Sequence, residues 1–228
     1  MSVARYINPE ERQALLQELR DPRDRLFFQL GVNTGLRISS ILGLRWRQLM
    51  QDGEPVGILE VPRRFLKGGR GVHRKKITSR RIPLNAGAGA AVKEWAFARF
   101  GSGPVEPEAP VFTSRKRFPG TLGRKQAYTL LRAAAVRAGL KKGVAPHSMR
   151  RAFANDVFLS TGKNLLAVQF LLAHASPLTT ALYLRPQEEE LFNVVRNLPA
   201  LGAGAAEPRS SGECTSQNSA KPLVKLNS

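Results

Sequence analysis

Residues 146–184 read PHSMRRAFANDVFLSTGKNLLAVQFLLAHASPLTTALYL. Pro146 suits the first turn of a helix, where its missing N–H would have no intrahelical partner in any case. His147 and Arg150 fall three residues apart and so share one helical face. Short helices are expected over 147–160, 164–173 and 177–184, with His174 just after the second and Tyr183 within the third. Four side chains able to hold an anion or move a proton therefore stand within one short helical stretch.

Further toward the N-terminus, Thr34-Gly35-Leu36-Arg37-Ile38-Ser39 places another arginine at a turn that opens a short helix, Ile38 to Leu44. Two helices precede it. Asn8-Pro9-Glu10-Glu11 combines a capping side chain, a first-turn proline and two acids at the positive end of the helix dipole, and the helix runs to about Leu19. Asp21-Pro22 repeats the signal, and Leu26, Phe27, Leu30 and Gly31 recur at helical spacing.

Between Gly57 and Arg81 the pattern becomes extended. Ile58, Leu59 and Val61 suit one strand, Ile77 to Pro83 its partner, and Gly68-Gly69 and Gly71 a long basic tip. Helices follow at about 89–100 and 123–138, separated by a proline-rich loop from Gly101 to Pro110, and an amphipathic helix at 188–198 ends the patterned chain. The predicted fold is mainly α with a small β-sheet (α+β). Residues 1–201 read as one catalytic domain, and 202–228 as a disordered tail without an aromatic side chain to bury.

The 228 residues are 42% hydrophobic, ordinary for a globular chain, but 36 Lys and Arg face 17 Asp and Glu for a net charge of +19. Such an excess favours a polyanionic partner, since each phosphate neutralised by a cation releases condensed counterions. The charge is blocked: Arg63, Arg64, Lys67, Arg70, Arg74, Lys75, Lys76, Arg80 and Arg81 lie in a stretch free of acids, and residues 109–155 hold no acid at all. Arg115, Lys116, Arg117, Arg124 and Lys125 belong to that second block. All of these except Lys67 are predicted contacts to a phosphate backbone, the DNA of an enzyme or the polyanion of a ribosomal-type basic protein. A single cysteine, Cys214, excludes an intrachain disulfide and a multi-cysteine zinc site. With no apolar run of membrane-spanning length and no signal-peptide pattern, a cytoplasmic protein is expected, in the bacterial cytoplasm or nucleoid.

Cutting DNA without a metal needs a nucleophile, cations for the non-bridging oxygens and an acid for the departing 5′ oxygen. Singly, Arg37 and Arg150 read as surface or ion-pair residues, His147 as a cap, His174 as a buried histidine and Tyr183 as core. In this order and spacing, Arg37, His147-x-x-Arg150, His174 and Tyr183 resemble the catalytic signature of the tyrosine recombinases, the phage integrase family with its Xer-type members. The resemblance covers roughly residues 5–198 and implies the fold of that family's catalytic core.

It implies that Arg37 and Arg150 clamp the scissile phosphate, and that His147 bonds that phosphate or takes the tyrosine proton. His174 is then a further donor, and Tyr183 attacks to form a 3′-phosphotyrosine. Lys67 in Phe65-Leu66-Lys67-Gly68-Gly69 matches the family's general acid, with Lys75 and Lys76 as alternatives on the same hairpin. The implied substrate is double-stranded DNA, cut and rejoined by a tetramer of the chain on paired sites, with no metal, cofactor or small-molecule substrate and no membrane. Two other readings stay open: a type IB topoisomerase, and a catalytically silent DNA-binding regulator.

Two positions depart from the family pattern. Ser40 stands where an acidic residue is common, and Ala173 where glycine is frequent. Arg37 also comes too early for the family's helical N-terminal core-binding domain to precede it, which is expected of a compact enzyme or of a fragment.

Overall fold

A computed structural model describes residues 5–63, 79–114, 120–140 and 143–172, together with Thr180, Leu184 and Arg196. The chain divides into two units, Met1–Arg185 and Pro186–Ser228. Every element named below lies in the first, and of the second only Arg196 is described. The predicted helices at 177–184 and 188–198 and the tail fall largely or wholly outside the described residues.

Helix α1 (Pro9–Glu18) begins with the expected device: the Asn8 side chain accepts from the Glu11 amide at 2.8 Å, and the Glu11 carboxylate accepts from the Asn8 amide at 3.1 Å. Helix α2 (Pro22–Thr34) is capped by Asp21, which accepts from the Arg23 amide at 2.8 Å. It is the central helix, packing on α4 (Ala86–Phe100) and on α6 (Pro146–Ser160) and burying Leu26, Phe27, Phe28 and Leu30. Phe27 meets Phe112 edge to face, with ring centroids 5.9 Å apart. Helix α4 starts three residues before the expected position, because Asn85 accepts from the Ala88 amide and caps it there.

Helix α3 (Ile38–Leu42) ends at Gly43, short of the expected Leu44, and a 3-10 turn at Trp46–Gln48 follows. Strands β1 (Met50–Gln51) and β2 (Glu54–Pro55) then form a tight antiparallel ladder that the sequence reading missed. Its signal was present in Asp52-Gly53, both at positive φ (51° and 80°), the dipeptide that favours two-residue hairpins.

The predicted hairpin appears as β3 (Ile58–Val61) paired with β4 (Arg80–Pro83), with Leu59 opposite Ile82 and Val61 opposite Arg80. Its basic connecting segment, 64–78, lies outside the described residues. The expected small sheet is thus two separate two-stranded ladders. Helices α5 (Arg124–Arg137) and α7 (Leu165–Leu172) complete the described fold, α5 packing on α1, α3 and α6. A secondary cluster of Phe153, Ala154, Val168 and Leu172 joins α6 to α7.

Candidate active site

The site grows from the C-terminal end of α2. Gly35 ends that helix with φ +58°, a left-handed conformation open to glycine at little cost. A Cβ there would also stand 2.3 Å from Cδ1 of Phe153 on α6, so glycine is needed for space as well as for dihedral. One turn earlier, a Cβ on Gly31 would lie 2.5 Å from Sδ of Met149. These two glycines let α2 and α6 approach closely, and so bring Arg37 and Arg150 from distant parts of the chain into one site.

Arg37 is half-buried at the N-terminus of α3. Arg150 is 1% exposed on α6, and its Nη1 donates to the Gly35 carbonyl while its Nη2 donates to the Leu172 carbonyl at 2.8 Å. One guanidinium thereby ties the turn that presents Arg37 to the end of α7, two residues before His174 in the chain. A charged donor makes each of these bonds stronger than a neutral amide would. Arg150, expected as a phosphate clamp, has a structural role that the sequence did not announce: both of its terminal nitrogens are engaged by backbone carbonyls.

His147 stands exposed on the first turn of α6, one turn from Arg150. Its pKa lies below the ordinary 6.5, through partial desolvation of the ring first, then the positive charges of Arg150 and Arg37. At neutral pH the imidazole is therefore uncharged and able to accept a proton. His147 one turn from Arg150, and Arg150 bonded to the turn before Arg37, place the three in one electropositive neighbourhood.

Arg80 corrects an expectation. Read as a DNA-backbone contact, it is 8% exposed, and its Nη2 donates to the Thr34 carbonyl at 3.2 Å. Strand alternation is the reason: β4 turns Arg80 and Ile82 inward and Arg81 outward, where Arg81 pairs with Glu60 at 3.0 Å. Burial, and secondarily Arg37, lower Arg80 to a pKa of about 10, which leaves it charged at neutral pH. The signal was available in Arg80-Arg81-Ile82-Pro83, since an inward Ile82 puts the residue two before it on the same face.

Arg63, Arg124 and Lys125 are exposed, as their predicted role needs. Lys67, His174 and Tyr183, and Arg64, Arg70, Arg74, Lys75, Lys76, Arg115, Lys116 and Arg117, lie outside the described residues. Among the described residues no cluster of His, Cys, Asp and Glu could hold a metal ion, and no helix is long and apolar enough to cross a membrane.

Residues 5–190 match the family model described as the phage integrase family. The tyrosine recombinase XerC of Xylella fastidiosa (strain M23) is 34% identical over 185 residues, covering 79% of this chain and 56% of the relative. The tyrosine recombinase XerD of Corynebacterium glutamicum is 30% identical over 176 residues, covering 77% of this chain and 52% of the relative. The chain thus spans about half the length of the curated relatives it matches. In architecture it is similar to the crystal structure of XerA recombinase, with a TM-score of 0.67, 21% identity, and coverage of 88% of this chain and 68% of that one. It is also similar to XerH site-specific recombinase bound to its difH substrate in a pre-cleavage complex, with a TM-score of 0.60, 21% identity, and coverage of 86% and 55%. The chain belongs to the phage integrase family.

Proposed function

We propose that this chain is a site-specific recombinase that cleaves and rejoins double-stranded DNA through a 3′-phosphotyrosine at Tyr183. The observation that carries the reading is that the Arg150 guanidinium bonds the Gly35 carbonyl, which brings the α6 pair His147 and Arg150 to the turn before the sequence-distant Arg37. In the proposed step the Tyr183 oxygen attacks phosphorus as the bond to the 5′ oxygen breaks. Neutral His147 accepts the phenolic proton, and Lys67 gives a proton to the leaving 5′ oxygen. Arg37, Arg150 and His174 stabilise the charge on the non-bridging oxygens. Resealing reverses these transfers, and one phosphoester replaces another, so no external energy source is consumed.

The test is incubation with nicked duplexes tiled from the DNA flanking the gene, followed by a denaturing gel. The expected result is a covalent protein–DNA band that Tyr183→Phe abolishes while DNA affinity stays, because only the reacting oxygen is removed. Binding without any band would mark a silent DNA-binding regulator. Relaxation of arbitrary supercoiled DNA by the monomer would mark a type IB topoisomerase.

The same reading includes assembly into a tetramer on paired sites in the bacterial cytoplasm or nucleoid. Its support is an apolar strip on α7, where Leu166 and Phe170, one turn apart, are 68% and 83% exposed. Residues 188–198 carry an amphipathic pattern, with Leu191, Val194, Val195 and Leu198 on one stripe, to be covered either by the chain's own core or by a neighbouring subunit. Sedimentation is expected to show a monomer in free solution and higher-order complexes only on DNA carrying two sites.

A further inference from the structure

The turn that presents Arg37 is held by two guanidinium groups on consecutive carbonyls: Arg80 donates to Thr34 at 3.2 Å and Arg150 to Gly35. Both carbonyls belong to the C-terminal end of α2, where the summed peptide dipoles leave partial negative charge and favour cations. Thr34 is fastened further, since its hydroxyl donates to the Leu30 carbonyl at 2.5 Å and accepts from the Leu36 amide at 3.3 Å. Arg150 reaches the turn from α6, whereas Arg80 reaches it from β4, the strand into which the basic segment 64–78 leads.

Arg80 is a costly choice for that inward position. A buried cation beside a second cation loses hydration and gains repulsion, and an apolar side chain would fill the place as Ile82 fills the next one. Among the described residues that cost is offset at the Thr34 carbonyl, three residues ahead of Arg37.

We propose that Arg80 is a positioning residue of the strand-cleaving site, holding from the hairpin the turn that aims Arg37 at the scissile phosphate. The proposal rests on the strand-cleaving reading and adds to it a residue that does not touch the DNA. It makes the hairpin strand and the Arg37 turn one rigid unit, so the phosphate meets an arginine already oriented.

Arg80→Met and Arg80→Lys decide it, read by three measurements on the full chain. Arg80→Met is expected to keep its denaturation midpoint, or raise it, and to bind a nicked duplex as the wild type does. Its covalent adduct is expected to form more slowly by on the order of tenfold to a hundredfold, as misplacement of a reacting group predicts. Arg80→Lys, which keeps the charge and a donor, is expected to recover most of that rate. In the free protein, amide hydrogen exchange over peptides spanning 34–38 is expected to quicken in Arg80→Met.

Unchanged adduct formation in Arg80→Met overturns the proposal. So does a loss confined to DNA affinity, which would return Arg80 to the backbone contacts, and so does unchanged exchange over 34–38. If Arg80→Met does not fold, Arg80→Gln carries the same comparison. No adduct from the wild-type chain on any tiled duplex would sink the strand-cleaving reading instead, and hydrogen exchange would still decide whether Arg80 holds the turn.

Discussion

His147 shows how the chemistry of a side chain depends on its folded surroundings, on a neighbour one helical turn away and on another far off in the chain. As a lone histidine it would titrate near 6.5; desolvation and the charges of Arg150 and Arg37 depress it. Protonation is then less favourable in the folded chain than in the unfolded one, which binds more protons between the depressed value and 6.5. The contribution of this site to stability is fully present above pH 6.5 and is lost as pH falls through 6.5 toward the folded value. His147→Gln is expected to remove that part of the acid sensitivity in urea unfolding curves collected at several pH values. A DNA phosphate between the arginines should reverse the shift, because its negative charge favours imidazolium. NMR titration of the His147 ring with and without a duplex checks this: a pKa that stays depressed in the complex would show that the ring faces away from the phosphate.

The close approach of α2 and α6 depends on very small residues, and so is sensitive to single methyl groups. Gly35→Ala puts a Cβ at positive φ and against the Phe153 ring. Strain in the left-handed region and overpacking together are expected to cost about 2–4 kcal/mol, read from the urea midpoint. It should also disturb the carbonyl that Arg150 grips, so DNA cleavage should fall below what lost stability explains. Gly89→Ala is the control. Gly89 lies inside α4 with open space where an alanine methyl would go, and alanine there is expected to add about 0.5–1 kcal/mol. Equal effects at the two positions would mean that the α2–α6 contact yields easily.

Over the whole chain, on the proposed function, the net charge of +19 acts on how the protein finds DNA more than on how it cuts. The tail carries only +1 of it, from Arg209, Lys221 and Lys225 against Glu207 and Glu213. Log affinity is expected to fall with log salt by about 0.9 per phosphate contacted on duplex DNA. Neutralising Arg74, Lys75 and Lys76 together should flatten that slope, whereas Arg80→Met should leave it unchanged because that side chain is buried. An unaltered slope in the triple variant would mean that the hairpin tip does not meet DNA.

The cap at Asn8, the Asp21-Pro22 start of α2 and the mainly α, α+β character were legible in the sequence because each depends on neighbours within a few residues, and the ordered set of arginines and histidines was legible from its spacing. Local pattern also located β3 and β4. It did not say that Arg80 turns inward, that Arg150 bonds the Gly35 and Leu172 carbonyls, or that His147 is depressed by two arginines. The three hydrogen bonds join residues separated by 46, 115 and 22 positions, and only the packing of α2, α6, α7 and the hairpin sets their distances. Side-chain chemistry is written residue by residue, whereas burial, field and hydrogen-bond partner are properties of the folded surroundings. The sequence by itself thus determined which reactive and charged groups the chain carries, and the tertiary structure decided which of them are buried and which backbone carbonyls Arg80 and Arg150 hold, because burial and hydrogen-bond partner arise only from packing.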